Sequence, residues 1–171
     1  YLAKSDKRKA IVEIRQWMAK NASTSKSKQS KASKDADEKL LPRLVLAQLL
    51  YDENDFPAVK AELKAMPVKN SLEYLKLMAL SELAAGNLGS AKSWAEELRR
   101  SYPKSLEGLL VELEICLTQK QFVPAAYVLR PAAHVSRVLW KEQIGALVIA
   151  KVPDVRDIGA FVGALKSAQI D

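Results

Sequence analysis

The stretch whose reading decides the fold is Leu72–Ser105, LEYLKLMALSELAAGNLGSAKSWAEELRRSYPKS. Its first half sets Leu75, Met78, Ala79, Leu83 and Ala84 at spacings of three and four, which predicts a helix with an apolar stripe along one face. Gly86-Asn87 should stop that helix, because both residue types tolerate the left-handed conformation that closes one. A second helix is expected to follow, carrying Leu88, Ala91, Trp94, Ala95 and Leu98 inward. Arg99 and Arg100 fall in its last turn, where cations suit the negative end of the helix dipole, and Pro103 ends it.

The same organisation extends on both sides. Leu40 to Tyr51 reads as a helix with a broad apolar face, and Asp52-Glu53-Asn54-Asp55 breaks it. Phe56-Pro57-Ala58 opens the next helix, since proline is favoured in a first turn, and that helix should run to Met66 before Pro67. Downstream, Leu106, Leu109, Leu110, Leu113, Cys116 and Leu117 form a helix, Gln119-Lys120-Gln121 a turn, and Phe122-Val123-Pro124-Ala125-Ala126 another opening. The Phe, Pro, Ala order is thus repeated, and Ala58, Ala91 and Ala125 recur at intervals of 33 and 34 residues. Fixed periods of this size mark stacked repeats. Pro131 should shorten or kink its helix. Beyond Val135, Val138, Leu139, Ile144, Leu147 and Val148 predict a further helix, Pro153 interrupts, and Val155, Ile158, Phe161, Val162 and Leu165 predict a last one.

Ala79, Gly86, Leu88, Ala91 and Pro103 together resemble a tetratricopeptide repeat, although Leu75 and Glu82 stand where that family has aromatic residues. The resemblance implies an all-α fold, a right-handed α-solenoid of antiparallel helix pairs, with units of about 40–70, 71–104, 105–135 and 136–171. On this pattern Ala10 matches Ala91 and Ser5-Asp6 matches Gly86-Asn87. Residues 1–20, with Ala10, Ile11, Ile14, Trp17 and Met18 at helical spacing, then read as the second helix of a truncated repeat. Residues 21–39 hold a Lys/Ser-rich tract without large apolar side chains, which predicts a flexible insertion.

The chain carries a net charge of +7. Residues 1–40 hold eleven Lys/Arg against five acids, so nearly all of the excess sits in an N-terminal basic arm that includes Lys7, Arg8, Lys9, Lys26, Lys28, Lys31 and Lys34. No run of 18 apolar residues spans a membrane. The one cysteine, Cys116, makes no internal disulfide, which is compatible with a reducing, cytoplasmic setting. Nucleophile-and-base pairs, metal sets and phosphate loops are not evident. Cys116 lies on an apolar stripe, and the one histidine, His134, lies at an expected helix end where it can satisfy carbonyls. No catalytic residue, cofactor or metal ligand is therefore assigned. Trp17 and Trp94 are expected in core packing, and Trp140 beside Lys141 on the surface.

What the resemblance implies for function is a groove lined by the first helices of successive pairs. The corresponding positions are Arg43, Ala47 and Leu50, then Glu73, Lys76, Leu80 and Leu83, then Leu110, Glu114 and Leu117. Some chaperone-binding members of that family grip a carboxylate with basic residues and an Asn, but Leu80, Leu110 and Glu114 stand at those places. An apolar groove flanked by acids suits an amphipathic helix or an extended apolar segment of another protein. The expected function is a non-enzymatic scaffold or adaptor that binds through this groove or through the solenoid ends. The alternative is nucleic-acid or anionic-surface binding by the basic arm in a ribonucleoprotein or other assembly. Its lysines alternate with Ser and not with stacking aromatics, so such binding would be salt-labile.

Overall fold

The structure, a computed structural model, describes residues 4–24, 34–130, 137–152 and 154–168. These are all-α, with no strand among them. Nine helices follow in order: α1 Lys4–Thr24, α2 Lys34–Asp52, α3 Phe56–Lys64, α4 Leu72–Ala84, α5 Leu88–Ser101, α6 Leu106–Thr118, α7 Phe122–Leu129, α8 Arg137–Lys151 and α9 Val155–Ser167. They form two compact units, the first ending at Ala85 and the second beginning at Gly86.

Three turns share one backbone shape. Asn54, Gly86 and Lys120 have φ of 62°, 80° and 55°. Each is followed by an N-cap residue of nearly constant geometry, Asp55 (−89°, 67°), Asn87 (−84°, 67°) and Gln121 (−88°, 74°). The N-cap carbonyls then accept from Val59, Ala91 and Ala125, each at 3.0 Å. In the outer two turns the N-cap N–H reaches back to close the preceding helix, Asp55 to Leu50 and Gln121 to Cys116, both at 2.9 Å. The recurrence is therefore real at the level of the backbone, and it corrects the register. Val59, not Ala58, corresponds to Ala91 and Ala125, and all three are fully buried. Phe56 corresponds to Leu88 and Phe122, while the prolines of the two Phe-opened helices stand one position out of step.

In the first unit α1 packs on α2, α2 on α3 and α4, and α3 on α4. The core is supplied by Leu46 and Leu50 of α2, Val59 and Leu63 of α3, Met66, and α4. Helix α4 differs from the single-stripe expectation. Tyr74, Leu75, Leu77, Met78, Ala79, Leu80, Ser81 and Leu83 are all buried, which covers every side of the helix, whereas Ala84 is exposed. A helix apolar all round is an interior helix. The one polar side chain fully inside, Ser81, donates from Oγ to the Met78 carbonyl at 3.1 Å, so its hydroxyl is satisfied without leaving the helix. Ser71 caps the start, accepting from the Tyr74 N–H at 3.2 Å.

Two boundaries differ from the sequence reading. Helix α1 runs on to Thr24, and α2 begins at Lys34, so both ends of the tract assigned to a flexible insertion are helical. The acids at 35, 37 and 38 are the residue type that a helix N-terminus favours. Pro42 lies inside α2, where it removes one N–H from the hydrogen-bond ladder. The middle of the tract, residues 25–33, lies outside the described residues.

In the second unit α5 packs on α6, α6 on α7 and α8, and α7 on α9. Each of the last two helices thus takes its neighbour from the pair before it. Leu113, Cys116 and Leu117 of α6, Ala125, Ala126 and Leu129 of α7, Ile144, and Phe161 and Ala164 of α9 make one core. The Phe122 and Phe161 rings are 6.3 Å apart at 58°. Two ion pairs tie the later helices in: Lys151 Nζ to Glu114 Oε1 and Lys120 Nζ to Asp157 Oδ2, each 2.7 Å. Buried Gly108 brings α5 and α6 close, since a Cβ there would stand 3.0 Å from Arg99 Cγ.

Candidate functional site

The positions expected to line a groove separate by residue type. In the first unit Ala47, Leu50, Leu80 and Leu83 are buried, and in the second Leu117 is buried. Their apolar side chains are closed to a partner in this conformation because they complete the cores. Arg43 is partly exposed and bonds through Nη1 to Glu62 Oε2 at 2.9 Å. Glu73 is exposed, Lys76 and Leu110 are half-buried, and Glu114 is half-buried against Lys151. Of the positions that remain at the surface, Leu110 alone is apolar.

Apolar surface is found instead between α1 and α2. Glu13, Ile14 and Trp17 of α1 and Pro42 of α2 line an open depression of about 370 Å³. Trp17 is 46 % exposed, which corrects its expected place in the core. Beside Pro42 on α2, Leu41 is 68 % exposed, and Val45 follows one turn later, also exposed. A half-exposed tryptophan lining an apolar concavity differs from the single exposed residues that any surface carries. The interior proline helps build the depression, because it offers a ring and no N–H. The sequence signal for this surface was the apolar pair Leu41 and Val45 lying off the buried face marked by Leu46 and Leu50. It was hidden in a helix that reads as apolar on most sides.

The basic arm is in part a helix, and two of its cations face acids of the first unit. Lys7 Nζ lies 3.0 Å from Asp52 Oδ2, and Arg8 Nε 3.2 Å from Glu53 Oε2. Lys9 is exposed. Lys26, Lys28 and Lys31 lie outside the described residues, as does His134, and the side chains of Lys34 and Trp140 are not among those described.

Cys116 sits in the second core, and burial pushes its thiol pKa up. The Glu112 charge adds to that rise and Lys92 opposes it. A protonated buried thiol is a poor nucleophile. Trp94 is half-buried on α5. Among the described residues no three His, Cys, Asp or Glu side chains gather as a metal site would require, and no described helix is long and apolar enough to cross a membrane. The chain matches no family model, no curated protein and no solved structure.

Proposed function

We propose that this chain is a non-enzymatic scaffold that holds a segment of another protein in the depression between α1 and α2. The observation that carries the reading is the depression lined by Glu13, Ile14, Trp17 and Pro42, with Trp17 exposed on α1 and Leu41 and Val45 exposed on α2. A tryptophan at the rim of an apolar hollow is the residue type that most often anchors a protein interface. The occupant that suits the surface is an amphipathic helix or an extended apolar segment. The wider architecture belongs to the same proposal: a right-handed series of antiparallel, tetratricopeptide-like helix pairs, supported by the recurrent turns at Asn54, Gly86 and Lys120.

The test is affinity capture with the full chain and with the Trp17→Ala/Leu41→Glu variant, circular dichroism confirming equal helix content. A partner recovered by the natural chain and lost with the variant supports the reading. Equal recovery of that partner by both moves the site elsewhere.

A further inference from the structure

Helix α1 is held to the first unit differently from its neighbours. Of its described side chains only Ile11 is buried, while Val12, Trp17 and most of the polar residues face outward. What it offers instead is charge. Consecutive cations Lys7 and Arg8 meet the consecutive acids Asp52 and Glu53 at the far end of α2, 45 residues on. Asp52 is held for this contact by Gln48, whose Nε2 donates to Asp52 Oδ1 at 3.0 Å.

The end of α2 is charged against its own dipole. The C-terminal end of a helix is negative, yet α2 ends in Asp52, with Glu53 just beyond it, and has no cation in its last turn. In α1, Lys7 and Arg8 follow directly on Asp6, the acid of its first turn. The acids at the end of α2 are relieved by these two cations. The depression is lined from both helices, so it exists only while they are docked.

We propose that α1 is an electrostatic strap: the Lys7–Asp52 and Arg8–Glu53 pairs latch it across the end of α2, and loss of the latch releases α1 while α2, α3 and α4 stay folded. Release dismantles the depression, which makes partner capture there dependent on ionic strength. This last consequence rests on the proposed function, but the strap itself is read without any partner. Ion pairs at the surface are screened by salt, whereas the apolar core beneath is not weakened by it.

The experiment is amide hydrogen exchange followed by mass spectrometry on the full chain. Variants are Asp52→Lys/Glu53→Arg and the charge swap that adds Lys7→Asp and Arg8→Glu. In the reversed variant, exchange in α1 should quicken by about tenfold or more, the scale of losing two surface pairs, with α2 to α4 unchanged. The swap should restore slow exchange, and 1 M sodium chloride should quicken α1 in the natural chain and in the swap but not in the reversed variant. Unchanged α1 exchange on reversal would overturn the proposal. So would protection lost across all four helices together, or a swap that restores nothing.

Discussion

Lys120 Nζ lies 2.7 Å from Asp157 Oδ2, joining the turn after α6 to the first turn of α9. The hydrogen bond to Asp157, then that residue's charge and more weakly that of Asp154, raise the Lys120 pKa above the ordinary lysine value, with slight burial opposing. A lysine raised in this way contributes fully below its unfolded pKa and loses that contribution as pH rises through the folded one. The second unit should lose stability on the alkaline side, and Asp157→Asn should flatten that part of the slope. Urea midpoints at neutral and strongly alkaline pH check this, and identical slopes in the two proteins would refute it.

Gly86 and Gly163 make a pair of opposite signs. An added methyl meets nothing within 4 Å at either position. At Gly86, with φ of 80°, alanine is strained by the backbone alone and should cost about 1–2 kcal/mol. At Gly163, exposed within α9, the same change should add up to about 1 kcal/mol through helix propensity. Shifts of the unfolding midpoint in the same direction for both would be inconsistent with this account.

The corrected register has its own consequence. Ala91 and Ala125 are fully enclosed, so Ala91→Leu and Ala125→Leu should each destabilise by about 1–3 kcal/mol through overpacking. Ala58, which periodicity alone pairs with them, is only half-buried, and Ala58→Leu should change the midpoint much less. Equal losses at all three would restore the Ala58 alignment.

Single-stranded RNA tests the basic arm. With Lys7 and Arg8 paired to acids, a fluorescence titration of the full chain should show no saturable binding at low salt. Tight, salt-labile binding would instead favour the anionic-partner reading.

The positions of seven helices, α3 to α9, were legible because apolar spacing, turn residues and prolines agreed, as at Gly86, Pro57 and Pro103. The start of α2 was not legible. A Lys/Ser/Asp composition and an interior Pro42 argue locally against helix, while the acids at 35, 37 and 38 suit a helix N-terminus. The register slipped at Ala58 because matching prolines drew the alignment, whereas the turn is set by backbone angles that Asn, Gly and Lys all adopt here. The candidate site was the least legible part. Exposure of Trp17 depends on which flank of α1 meets α2, and the Lys7–Asp52 contact joins residues too distant in the chain for any local pattern to reveal.

The shared turn shape carries one more consequence. Asn54 and Gly86 occupy the same backbone state, and so do the residues that follow each of them. A cut after Asn54 and another after Gly86 therefore excise a 32-residue cassette whose two ends are conformationally interchangeable, and the equivalent cut after Lys120 bounds a cassette of 34. Duplicating such a cassette would rejoin the chain through backbone angles it already uses at that turn.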